Sequence, residues 1–163
     1  MKKILMLAFL SVSIVSIVAM TGSAPAFVDH GDCVACHNQL SSLQGEDISI
    51  GSDWSGSMMA NAARDPYWQA AIRRETMRLP AASRAIQNEC SACHMPMTRY
   101  LSKVAGQLGE VFAHFPIVPN DAVNHQLAVD GVSCAMCHQI LADKLGTPES
   151  FTAGFVLDNV KPY

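Results

Sequence analysis

The sequence predicts a mainly α fold of short helices and long loops, on three observations. No stretch sustains the strict apolar–polar alternation of a half-buried strand. Capping residues and prolines recur where helices would start. The pentad Cys-x-x-Cys-His occurs three times, as CVACH at 33–37, CSACH at 90–94 and CAMCH at 134–138, and these copies use all six cysteines of the 163-residue chain.

The first 26 residues are set apart. Lys2 and Lys3 precede an apolar run over residues 4–20 broken only by serines, and small residues follow up to Ala24-x-Ala26. A charged start, an apolar centre and that ending describe a secretory signal peptide, expected to be cut after Ala26. The alternative is a retained anchor helix, since the run is about long enough to span a bilayer. One exported domain over 27–163 remains, periplasmic or beyond. Loss of the two lysines takes the formal charge from −3 to −5, which excludes nucleic acid as a partner class. A membrane would be met only through the uncut leader.

After the first pentad, residues 38–53 are polar and rich in Gly and Ser, and read as a loop. Asp53 is placed to cap a helix through WSGSMMANAAR (54–64). Asp65-Pro66 restarts a helix with a cap and a proline at its first position, carried to Leu79-Pro80. Residues 81–93 read as a helix that delivers the second pentad at its end. Residues 95–120 are punctuated by Gly and Pro and are expected to be mostly loop. A last helix is expected from Asp121 through NHQLAVDG, interrupted around Gly131 before the third pentad.

The pentad spacing carries the chemistry. Two thiols separated by two residues can add to the two vinyl groups of one haem, and the next residue places an imidazole on the iron. Cys33, Cys36, Cys90, Cys93, Cys134 and Cys137 are therefore read as attachment points for three covalent haem c groups. His37, His94 and His138 are read as the proximal ligands. A zinc site of four thiolates does not need a His after every pair, and three redox-active pairs in one small domain would be unusual. Long aliphatic runs are scarce after residue 26, so the core needs something extra to bury. The helices are accordingly expected to pack around three haems more than on one another.

The sixth ligand of each iron decides between electron transfer and chemistry at an open metal. The spare histidines are His30, His114 and His125. His125 precedes the third pentad on a helical segment and is read as a ligand. His114 stands between Phe112 and a second phenylalanine, where loop packing competes with ligation. His30 divides between a surface residue and a ligand. Met58 and Met59 fall on the expected amphipathic helix, where packing competes with ligation. Met95 and Met97, flanking Pro96, are read as packing at a haem edge.

Two of these stretches resemble a known family. WSGSMMA (54–60) is similar to the Trp-x-x-Ser-x-His-Ala segment of multihaem cytochromes related to the tetrahaem cytochromes c and hydroxylamine oxidoreductases. HQLAVDGVSCAMCH (125–138) resembles that family's His-bearing helix leading into Gly-Val-x-Cys-x-x-Cys-His. The whole set, SDWSGSMMANAARDPYW with CSACHMPM and DGVSCAMCHQI, looks like a group of exported bacterial multihaem cytochromes and covers about residues 30–141. The resemblance implies that His125 is a distal ligand. At the other distal position this chain has Met59 in place of the family's His, so that haem is either His/Met-ligated through Met59, ahead of Met58, or served from elsewhere. Family members often carry further haems beyond this length, which leaves open that the chain is a piece of a longer cytochrome.

The functional expectation is electron relay between redox partner proteins, which include other multihaem cytochromes. The alternatives are a small-molecule oxidoreductase acting on nitrogen or sulfur compounds at one open haem, and a subunit of a haem wire or reductase complex, with His30 ligating a neighbour's haem. No acid–base set for an enzyme stands out in the sequence.

Overall fold

Helix starts follow local polar chemistry along the chain. In the computed structural model, which describes residues 27–115 and 123–158, α1 (His30–Val34) is capped by Asp29, whose carboxylate accepts from the Gly31 amide. α2 (Ile50–Ser55) comes next. α3 (Pro66–Arg78) opens as the sequence predicts, with Pro66 in the first turn and Asp65 accepting from Tyr67 N at 2.9 Å. A 3-10 turn (Pro80–Ala82) leads into α4 (Ser83–His94), which ends on the second pentad. α5 (Pro96–Val104), α6 (Val123–Val129) and α7 (Cys134–His138) complete the set. The described residues are mainly helical with no strand, only the isolated bridges Ser41–Asp47 and Ile140–Leu157. The expected leader over 1–26 and the expected helix start at Asp121 lie outside the described residues. None of the described helices is long and apolar enough to cross a membrane.

Three expectations are corrected, the first being the loop over 38–53, whose last residues 50–53 already belong to α2. The helix expected through 54–64 is instead α2, which ends at Gly56, and residues 56–64 form successive turns. Asp53 thus lies inside α2, not at its cap. Side chains take the backbone groups that a continuous helix would use. Ser57 Oγ accepts from Ala60 N at 3.2 Å, and Asn61 Nδ2 donates to the carbonyls of Ser55 and Ser57. Of the stretch 95–120, the described residues 95–115 are not mostly loop, because Pro96 starts α5. Its apolar residues Met97, Tyr100 and Leu101 stand at helical spacing and face one cluster.

That core has two parts. Phe27, Met97, Leu127, Ala135, Met136 and Leu157 form one cluster, and Ala63, Trp68, Ile72, Met95, Val111 and Ala128 form the other. Leu127 and Ala128, adjacent on α6, divide between them, as do Met95 and Met97. Both methionines are fully enclosed, and the partners that define their clusters are protein side chains; such burial is worth about 1.5–3 kcal/mol each. Helices do pack on one another, α3 on α4, α4 on α5 and α5 on α6. The tail returns to the third pentad, with Leu141 N donating to Val156 O at 2.9 Å and Asp158 N to Gln139 O at 2.8 Å.

Candidate functional site

All three pentads form a helical turn with the same polarity. The first cysteine of each (Cys33, Cys90, Cys134) is half-buried and the second (Cys36, Cys93, Cys137) is exposed, and no disulfide joins any two of them. In the first copy His37 N donates to Cys33 O at 3.0 Å, which brings the imidazole around beside the thiols. Burial pushes the Cys33 thiol up, aided by Cys134, Asp32 and Asp130; burial, with Cys93 and Glu89, does the same for Cys90. Activated redox cysteines show the opposite shift.

The first and third pentads share one space. A cavity of about 620 Å³ is lined by Cys33 and His37 from the first, and by Cys134, Cys137 and His138 from the third. Trp54 and Met59 complete its wall. The wall is fixed by two crossed hydrogen bonds: Trp54 Nε1 donates to Val132 O at 3.1 Å, and Val132 N donates to Met59 O at 3.0 Å. Gly131 makes this approach possible. It has φ +65°, and a Cβ there would stand 2.5 Å from Met59 O. Met59, read from the sequence as helical, lies on the turn segment and is half exposed at 52 %. Met58 is exposed at 83 % and does not line the cavity.

The second pentad lies apart, against the second cluster, which Cys90 joins. Here His94 Nδ1 stands 2.6 Å from Ala62 O. A carbonyl only accepts, so Nδ1 carries the proton and Nε2 keeps its lone pair, as metal-bound histidines generally require. Trp68 lies flat on the same imidazole, with centroids 4.0 Å apart and planes within 4°.

His114 and His125 converge. The loop carrying His114 is pinned by α4, where Asn88 Oδ1 accepts from Gly109 N and Gln87 Oε1 accepts from both Val111 N and Phe112 N. His114 therefore sits on the short turn Phe112–His114 with its ring 6.3 Å from that of His125. Burial, and then His125, pushes the His114 pKa down. The ring is neutral near pH 7, the form that ligates metal. His125 is 2 % exposed, and its Nδ1 has no partner.

Three features were not read from the sequence. Trp68 reads in the sequence only as part of a helix, although the cap and proline at Asp65-Pro66 place it in the first turn of α3. The Asn88 and Gln87 pins left no sequence signal. Neither did the tie between His30 and Asp130: the buried Asp130 carboxylate hydrogen-bonds His30 Nδ1 and accepts from the His30 amide at 2.9 Å. His30 also packs on Trp54 at 4.7 Å.

The donor set fits the cofactor that the pentads call for. The shared cavity has the size of a ligand site and is lined mainly by apolar groups and thiols. Trp68 Nε1 and His125 Nδ1 are buried without partners, which costs about 1–3 kcal/mol each unless a bound group pairs with them. Among the described residues, no group of three or more His, Cys, Asp or Glu side chains could hold a bare metal ion. Comparison with known proteins identifies no relative: no family model, no curated protein and no solved structure matches the chain.

Proposed function

We propose that the protein is an exported c-type cytochrome with three covalent haems, related to the multihaem cytochromes it resembles, that relays electrons between partner proteins outside the cytoplasm. The observation that carries this reading is the cavity to which two Cys-x-x-Cys-His turns, remote in sequence, contribute together, Cys33 and His37 from one and Cys134, Cys137 and His138 from the other. Haem c would supply a one-electron iron centre at each pentad. The chain's own work is to attach, orient and space these centres. Cys33 and Cys36, Cys90 and Cys93, and Cys134 and Cys137 would hold the macrocycles. His37, His94 and His138 would ligate from one side, and Met59, His125 and His114 are the candidate donors for the other. The two residues of the 114/125 pair lie together, so they serve one centre more readily than two.

A specific observation supports a second reading. The shared cavity has two proximal imidazoles, His37 and His138, but its lining offers one further donor, Met59. A centre left without a sixth ligand would suit small-molecule chemistry better than relay.

Intact mass of the protein exported from a host with haem-attachment machinery tests the main reading, with the mature chain plus three haem masses expected. A zinc-loaded product, or cysteines that alkylate in the native protein, would overturn it. Carbon monoxide titration of the reduced protein separates the two readings, since a relay with every iron six-coordinate binds none.

A further inference from the structure

We propose that Trp68 is the positioning residue of the second haem site, holding the His94 imidazole in one plane and thereby setting the redox equilibrium of that iron. The inference rests on the functional reading above. A histidine ring turns about its χ2 bond in a broad, roughly two-fold potential, so a proximal ligand needs outside contacts to keep one orientation. His94 has two. Its edge is held by Ala62 O at 2.6 Å, and its face is covered by Trp68 at 4.0 Å with the planes within 4°.

Both contacts come from one short stretch of chain. Residues 62–68 turn from the segment after Met59 into α3, and this turn is itself anchored. Asp65 caps α3 through Tyr67 N, Gln69 Nε2 donates to Ala63 O at 3.0 Å, and Arg64 Nη2 donates to Ala60 O at 3.1 Å. Trp68 also meets Phe115 in a T-shaped contact with centroids 5.8 Å apart, and the indole is 8 % exposed. The indole therefore cannot tilt without moving α3 or the 112–115 turn. Packing alone would not require coplanarity, because aromatic pairs equally adopt edge-to-face geometry. The coplanar stack and the hydrogen-bonded edge together fix the ring in the tautomer that leaves Nε2 for iron.

The consequence is electronic as well as geometric. An Nδ1–H that donates to a fixed carbonyl makes the imidazole a more basic ligand, which favours the ferric state. Releasing the ring weakens that bond and favours the ferrous state. Outer partners of metal-bound histidines are worth about 10–100-fold in affinity or activity. The expected change in the ferric/ferrous equilibrium is about tenfold, about 59 mV for a one-electron couple.

The test uses the full haem-loaded protein. In Trp68→Leu, the low-temperature electron paramagnetic resonance signal of the haem that lies apart from the other two should change its g-spread. One of the three reduction steps should move to higher potential by the amount above. Trp68→Phe, which keeps a ring face, should bring both back towards the starting protein. Three haems with resonances and potentials all unmoved in Trp68→Leu overturn the proposal alone. Intact mass showing no haem in the unmutated protein overturns the functional reading and this proposal together. Should Trp68→Leu fail to mature, nuclear magnetic resonance of the unmutated protein decides. Dipolar contacts between Trp68 indole protons and the hyperfine-shifted protons of an axial imidazole support the stack, and their absence overturns it.

Discussion

Cys33 and Cys134 face one cavity, and the nearness of Cys134 helps burial to hold the Cys33 thiol above its ordinary pKa, which sets the first pentad beside the third across most of the described chain. Groups attached at these two cysteines would be held side by side, while those at Cys90 and Cys93 lie on the other cluster. Magnetic coupling is therefore expected between two of the three irons. Replacing Cys134 and Cys137 by Ala should abolish the coupling, visible as a simplified paramagnetic resonance spectrum. Coupling that survives this change would show that the second site is one of the pair.

Met59 is the side chain whose replacement should most alter reactivity. It is the sulfur donor on the shared cavity besides the cysteines, and it stands where the resembling family has His. Met59→Ala should open one iron to carbon monoxide without loss of haem. Met59→His should lower one potential and remove a thioether charge-transfer band at the red end of the spectrum. If the Ala variant excludes carbon monoxide and keeps its spectrum, Met59 only packs.

Gly131→Ala tests the joint that forms the cavity wall. The new methyl would meet Met59 O at 2.5 Å, and the backbone there is left-handed at φ +65°. The conformation alone costs an L-residue about 1–2 kcal/mol, and the displaced Met59 carbonyl adds the loss of the Val132 amide bond. Chemical denaturation should show a loss of at least about that size. A variant as stable as the starting protein would mean that the 131–132 turn is free to move.

His114 should make stability pH-dependent. Its folded pKa lies below the ordinary His value of about 6.5 because burial and neighbouring His125 disfavour the charged ring. The unfolded chain then binds the proton more readily, so stability falls as pH drops through about 6.5 towards the lower folded value. Ligation to iron would act in the same direction. His114→Phe should flatten the stability profile between neutral and mildly acidic pH. An unchanged profile would place the acid sensitivity elsewhere.

The sequence by itself determined the chemistry-bearing units, because these depend on short-range spacing. A helical turn puts both thiols and the imidazole of each pentad together whatever the rest of the chain does. Asp65-Pro66 starts α3, and Gly131 ends the segment after α6, through local backbone preferences of the same kind. Local spacing misleads at 54–64, where serine and asparagine side chains compete with the helix, and at 95–104, where the proline stands at a helix start and does not break one. Only the tertiary structure decided which pentads share a cavity, that Met59 rather than Met58 faces it, that His114 meets His125, and that Trp68 lies on His94. Each of these is a contact between distant segments, set by side-chain packing and by hydrogen bonds such as Val132 to Met59. No local spacing encodes a contact of that kind, since it depends on how the helices dock.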